Sequence, residues 1–193
     1  VKVSNAILVS WFGGEFGAKA IVETLLGENN PAGRVPVSFP ADSNRIPCYY
    51  SILPNHTEMM FEGERGPRYA FGYGLSYTEF EYSNLKITKQ SRTDYTVTFD
   101  VKNIGKVDGD EVTQLYINDV VSSVVTPLKL LKGFERISLK AGETKTVEFK
   151  LDFESFRLLN KDLEWVVEDG EFEIMVGSAS SNIKLKGKIE ITE

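Results

Sequence analysis

The stretch Tyr95-Thr-Val-Thr-Phe-Asp-Val101 decides the fold. Its apolar side chains recur at every second position, Tyr95, Val97, Phe99 and Val101 against Thr96, Thr98 and Asp100, and a period of two marks a strand with one buried face. The pattern begins near Phe80 and runs to the end of the chain. Val112, Leu115 and Ile117 occupy the next run, and Val147, Phe149 and Leu151 alternate with Glu148 and Lys150. Phe172, Ile174 and Val176 alternate with Glu171, Glu173 and Met175, and Ile183, Leu185, Ile189 and Ile191 form the last run. Turn sequences separate them: Asn103-Ile-Gly105, Asp108-Gly-Asp110, Ala141-Gly-Glu143 and Glu168-Asp-Gly170. About seven short strands at this spacing predict an immunoglobulin/fibronectin III-like antiparallel β-sandwich over 80–193, and a mainly β chain. A single cysteine, Cys48, excludes the inter-sheet Cys pair of antibody-like sandwiches and favours the fibronectin-like form.

Upstream the period changes. Val3 to Phe12 is a continuous apolar run, predicted as a buried strand. After Gly13-Gly14, residues Phe16, Ala20, Ile21, Val22, Leu25 and Leu26 fall at spacings of three and four, with Glu15, Lys19 and Glu23 on the other face. That spacing predicts an amphipathic helix, ended by Gly27. Arg34-Val-Pro-Val-Ser-Phe-Pro40 reads as a second extended segment. Residues 1–40 are therefore a partial α/β segment, strand-helix-strand, whose parallel sheet needs further strands to cover both faces. Such a half exposes apolar faces, so it is expected to be poorly ordered or covered by a partner copy. Residues 41–79 contain Pro47, Pro54, Pro67, Gly63 and Gly66, show no sustained period, and read as a long surface connection.

Composition removes several function classes. The 193 residues are 41% hydrophobic and 26% charged, as in an ordinary globular protein. With 28 Asp plus Glu against 22 Lys plus Arg, the net charge of −6 gives no cationic field, so neither nucleic acid nor an acidic membrane is an expected partner. The longest apolar runs fall far short of the roughly 20 residues that span a bilayer. One cysteine and one histidine, His56, do not make a zinc site of the usual ligand types, and neither metal nor cofactor is expected. The start at Val1, without a Met or a signal-type run, reads as a mature product or a fragment, and localisation is not legible.

Three runs carry a family resemblance. GGEFGAKAIVETLLGENNPAGRVPVSFP (13–40), YAFGYGLSYTEFEYSNL (69–85) and VKNIGKVDGDEVTQLYI (101–117), the last followed by TPLKLLKGFERISLKAGETKTVEF (126–149), resemble the C-terminal region of glycoside hydrolase family 3, the β-glucosidase group. The resemblance covers most of the chain. It implies a parent with an N-terminal barrel that supplies the nucleophile aspartate, an α/β sandwich domain that supplies the acid/base glutamate, and a fibronectin III-like domain. Residues 1–40 then correspond to the tail of the α/β sandwich domain, 41–79 to a linker and interdomain seam, and 80–193 to the fibronectin III-like domain.

A retaining glycosidase needs two carboxylates about 5 Å apart. By the resemblance both lie upstream of this chain, so no catalytic residue is expected here. The implied function is that of a non-catalytic part, which stabilises and shapes the catalytic domains of a parent that hydrolyses terminal β-linked glucosyl residues. Its implied partners are the N-terminal catalytic domains of the same protein, the β-glucoside substrate of the parent, and a second copy in a homodimer. The rival readings are a free-standing carbohydrate-binding or protein-interaction module, and a miniature hydrolase built on Glu58 with Glu62 or Glu64.

Glu58, Glu62 and Glu64, near His56 and Arg65, resemble acid/base material and make Glu62 and Glu64 substrate-side candidates, against the plainer reading of a solvated charged loop. Tyr73 belongs to the aromatic run Tyr69, Phe71, Tyr73, Tyr77, Phe80 and Tyr82, which suits sugar stacking but suits an interdomain seam better, because Gly72 and Gly74 allow close backbone approach. Gly13-Gly-Glu-Phe-Gly17 is read as a strand-to-helix turn and not a phosphate cradle. Asp108-Gly-Asp-Glu111 is read as a hairpin turn and not a calcium loop. Asn55-His-Thr57 fits a glycosylation sequon.

Overall fold

In the computed structural model, which describes residues 4–44, 46–54 and 66–192, the alternation around Phe99 becomes the centre of a two-sheet sandwich. Strands β1 (Phe80–Lys89), β2 (Tyr95–Asn103) and β5 (Thr144–Leu151) form one sheet in the order β1-β2-β5. Strands β3 (Gly109–Asp119), β4 (Leu130–Leu139), β8 (Gly170–Ala179) and β9 (Asn182–Ile191) form the other in the order β4-β3-β8-β9, and all pairings are antiparallel. Between β5 and β8 lie one helical turn, α2 (Phe153–Phe156), and a two-stranded hairpin, β6 (Leu158–Leu159) with β7 (Trp165–Val166). Asp152 and Ser155 cap α2 reciprocally.

The seven long strands match the sequence expectation, and so does the core. Val97, Phe99 and Val101 from one sheet meet Leu115, Ile174 and Val176 from the other, all essentially excluded from solvent. The Phe156 ring closes one end, edge-on to Tyr95 at 5.7 Å and to Phe172 at 5.2 Å.

Strand β3 departs from simple alternation. Leu115 and Ile117 face the core as expected, but Val112 is only half-buried, while Gln114 and Tyr116 on the opposite face are buried too. The cause is a cover. Segment 46–54 and the run around Phe71 lie across this outer face: the Tyr50 ring stacks on Phe71 at 4.3 Å and meets Tyr116 edge-on at 6.1 Å, and the Tyr50 hydroxyl accepts the Leu131 N–H. Met175, the register partner of Tyr116 on β8, is buried for the same reason. Part of the stretch read as a surface connection is thus packed against the sandwich.

The N-terminal part forms its helix but not its sheet. A 3-10 turn, Gly14–Phe16, leads into α1 (Gly17–Leu26), and Gly27, in the left-handed region at φ +79°, ends it. The expected strand over residues 3–12 has no ladder among the described residues, because an extended segment becomes a strand only against a partner and none lies beside it. Arg34–Pro40 does find one: Val35 and Phe39 exchange backbone hydrogen bonds with Gly72, Tyr73, Tyr69 and Arg68 in an antiparallel ribbon. Only Thr24 of α1 is buried, and Trp11, Phe12, Phe16, Leu25 and Leu26 stand exposed.

Gly72 sits at φ +80°, and a Cβ there would lie 2.0 Å from Gln114 Oε1. Gln114 has no free room to yield: its amide N–H groups go to the Gly72 and Ser178 carbonyls and its oxygen accepts the Tyr116 hydroxyl. Gly72→Ala is expected to cost about 2 kcal/mol, read as a lower urea midpoint with an unchanged slope.

Asp119, at the end of β3, has a buried Oδ2 with no hydrogen-bond partner among the described residues. Burial, and then the charge of Glu168, push its carboxyl up to about 6 from the ordinary 3.8. A raised folded-state value favours the protonated form, so the stability from this site is complete below the unfolded value and lost as pH rises through 6. The melting temperature of the native chain, taken relative to Asp119→Asn, should therefore fall between pH 4 and pH 7. A pH-independent difference would show that the Asp119 carboxyl is not perturbed.

Candidate functional site

The densest polar constellation lies where residues 24–39 and 69–82 meet the sandwich. Glu111 shares its strand face with Leu115 and Ile117 and therefore points inward, with only 2% of its side chain exposed. Two donors meet it there. Arg34 Nη2 reaches Oε2 at 2.6 Å from a side chain only 7% exposed, and the Tyr82 hydroxyl donates to Oε1 at 2.8 Å. Burial, then the Glu111 charge, hold the Tyr82 hydroxyl far above its ordinary range, so it stays a donor. Arg34 also donates to Ser76 Oγ, which in turn donates to the Pro31 carbonyl.

Other hydrogen bonds continue the seam on both sides. Asn30 donates to the Asp108 carbonyl and accepts the Tyr77 N–H, and the Tyr77 hydroxyl donates to the Thr24 carbonyl at the end of α1. Asn103 is a second hub. Its amide donates to the Val107 and Leu139 carbonyls, and its oxygen accepts from Thr78 Oγ1 and the Gly105 N–H. The Arg34–Glu111, Asn30–Asp108 and Thr78–Asn103 bonds tie the N-terminal part and the run before β1 to one end of the sandwich.

Tyr73 sits within this seam. Its ring is half-buried and stacks on Tyr69 at 5.4 Å, Tyr69 meets Phe39 edge-on at 6.2 Å, and its backbone carbonyl accepts the Val35 N–H. These contacts are those of a packed seam. Glu62 and Glu64, with Glu58, His56, Arg65 and the Asn55-His-Thr57 triplet, lie outside the described residues. In Asp108-Gly-Asp-Glu111 each carboxylate has a protein donor: Asp108 accepts the Ala141 N–H, Asp110 is held by Arg136, and Glu111 by Arg34 and Tyr82. Partial burial pushes Asp110 up, but hydrogen bonds from Ser138 and Arg136 outweigh it and leave the carboxyl below its ordinary range.

Chemically the constellation is a lock. A carboxylate with two fixed donors, enclosed by protein, has no approach for a substrate, and its partners satisfy it instead of poising it for proton transfer. A groove of about 210 Å³, lined by Leu8, Phe16, Ala20 and Ile21, opens between the N-terminal segment and α1 on the uncovered side. Ser10 and Thr24 interrupt its otherwise apolar walls. Arg34 and Glu111 escaped the sequence reading; the available signal was the parity of Glu111 with Leu115 and Ile117, hidden because its neighbours read as a turn.

Comparison with known proteins agrees with this two-part layout. Residues 1–77 match the glycosyl hydrolase family 3 C-terminal domain and residues 111–180 the fibronectin type III-like domain. The periplasmic β-glucosidase of Salmonella typhimurium is 41% identical over 97% of this chain and 26% of its own length. A β-xylosidase of Formosa agariphila is 43% identical over 94% of this chain and 26% of its own. Among solved structures, a β-glucosidase from Erythrobacter marinus superposes with a TM-score of 0.86 at 33% identity, over 91% of this chain and 24% of that one. The Listeria innocua β-glucosidase in complex with glucose gives 0.83 at 34% identity, over 95% and 27%. The chain thus spans about a quarter of the length of the curated relatives it matches. With both modules present in the family's order and laced together at one seam, the chain belongs to glycoside hydrolase family 3, whose C-terminal region it carries.

Proposed function

We propose that this chain serves as the non-catalytic C-terminal part of a retaining β-glycosidase that removes terminal β-linked glucosyl residues. The observation that carries the reading is the asymmetry of the N-terminal part. The N-terminal part is locked to the sandwich through Arg34 and Asn30 and to the run before β1 through Thr24, while its Trp11, Phe12, Phe16, Leu25 and Leu26 are exposed to solvent. An apolar surface of this kind is a packing face. In this reading the rest of the α/β sandwich domain covers it, and the extended run before α1 becomes an inner strand of that domain's sheet.

The mechanical consequence is specific. Retaining hydrolysis depends on holding two carboxylates about 5 Å apart, one to attack the anomeric carbon and one to move the proton. Both belong to the upstream domains. Positioning at that precision needs rigid support. The seam supplies it, because the α/β tail cannot tilt on the sandwich without separating Arg34 from Glu111. That the relatives include both β-glucosidases and β-xylosidases fits a part that supports catalysis without choosing the sugar.

The test compares the chain with the protein translated together with its upstream coding sequence. The longer protein is expected to release nitrophenol from an aryl β-glucoside and the chain alone is not; turnover by the chain alone would overturn the reading. In the longer protein, Arg34→Met leaves Glu111 buried with one donor lost and should cost about 3 kcal/mol of stability. Thermal inactivation should then come at a lower temperature, with KM unchanged below that temperature.

A further inference from the structure

Strand β3 sends a carboxylate toward the core at each of its ends. Glu111, at the first end, has Arg34 and Tyr82. Asp119, at the last, shares the inward parity of Leu115 and Ile117 and lies opposite Phe172 of β8, but among the described residues it has no ion pair. Its Oδ2 is sealed from solvent without a partner, and its carboxyl accepts one backbone hydrogen bond, from the Val121 N–H.

A second carboxylate holds the same loop two residues further on. Glu168, in the turn before β8, accepts the Ser123 N–H at 2.9 Å and the Ser123 hydroxyl. Between Val120, bonded to the Glu171 carbonyl, and Leu128, bonded to the Ile52 carbonyl, these two acids make the hydrogen bonds that tie the loop to the sandwich among the described residues; the Ser122 hydroxyl bonds stay within the loop. Val120, Val121 and Val125 are exposed, so apolar burial does little to hold it.

The charges on the surrounding elements are engaged elsewhere. Residues 120–128 include no titratable side chain, and Lys129, which follows them, donates to the Ser180 carbonyl. On β8, Glu171 and Glu173 lie on the face opposite Phe172 and pair with Lys188 and Lys186. Asp169, beside Glu168, pairs with Arg92, and on α2 Glu154 pairs with Arg157. Burial, and then the charge of Glu168, therefore act on Asp119 without a cation to offset them, and its carboxyl stands at about 6.

We propose that Asp119 and Glu168 form a proton-operated latch on loop 120–128, closed while Asp119 is protonated and released when both carboxylates are charged. With Asp119 protonated, the sealed oxygen is neutral and Glu168 has two donors from Ser123. Loss of the proton leaves a charged oxygen with no donor, close to a second anion. Relief comes when water reaches Oδ2, and the element with the fewest ties to give way is the loop itself. Because the folded-state value is raised, closure is complete below the ordinary carboxylate range and is lost as pH rises through about 6. The latch belongs to the sandwich alone and depends on no glycosidase role.

Amide exchange of the 193-residue chain, followed by NMR and divided by the intrinsic rate at each pH, tests the latch. The Val121 and Ser123 amides are expected to lose about tenfold in protection between about pH 5 and about pH 7.5, while exchanging faster at every pH than core amides such as Val97. In Asp119→Asn the step should disappear and the loop stay protected. In Glu168→Gln, which keeps an acceptor for Ser123, the step should move to lower pH. A flat profile in the native chain, a step that persists in Asp119→Asn, or one that Glu168→Gln does not move would overturn the latch. Loop amides as slow as that of Val97 would overturn it too, because the opening would then be global unfolding.

Discussion

Glu111 is the constraint on which the arrangement depends. Its place on β3 sends it toward the core, on the same face as Leu115 and Ile117. A carboxylate enclosed there is costly unless it is paired and hydrogen-bonded, and among the described residues the cation that meets it is Arg34, from a segment 77 residues earlier in the chain. Arg34 therefore has to be delivered to the sandwich from outside it. The antiparallel ribbon between 35–39 and 68–73 delivers it, and the Asn30 and Tyr77 bonds hold the end of α1 in line. A buried pair of this kind adds little net stability over an apolar substitute, but it fixes a geometry, since any other docking of the N-terminal part strands the charge.

How much of this was legible follows from where each residue gets its environment. Tyr95, Val97, Phe99 and Val101 were readable because alternation is local and both sheets obey it. Gly27 was readable because ending a helix is a matter of one residue's backbone freedom. Met175, Gln114 and Tyr116 were not, since their burial comes from Tyr50 and Phe71, distant in sequence, lying over what would otherwise be a solvent face. Glu111 was missed for a related reason. In the order Asp-Gly-Asp-Glu it looks like the last acid of a turn, yet the strand begins at Gly109 and parity already applies to it.

The apolar run before α1 shows the opposite limit. Ile7, Leu8 and Val9 have the composition of an inner strand, and composition is all that a sequence pattern reports. Whether such a segment becomes a strand depends on hydrogen-bond partners, which the described residues do not place beside it. In the aromatic run, the glycines at 72 and 74 signal close approach, and a Cβ on either would meet Gln114 or the Gly33 carbonyl. Its contacts divide between rings, as in Tyr69 on Tyr73, and hydroxyls, as in Tyr77 and Tyr82, a division that spacing alone does not reveal. The acids at 62 and 64, the most suggestive chemistry in the sequence, fall outside the described residues.

The two kinds of exposed apolar surface have different physical origins. On α1 the exposed Val22, Leu25 and Leu26 sit on regular helical backbone and follow the helical period, so their exposure costs little locally and is removed by a complementary face. At the β6–β7 hairpin they are few, and the backbone beneath them is held in a conformation that leucine resists. A packing face tolerates ordinary geometry because the partner's contact area supplies the specificity.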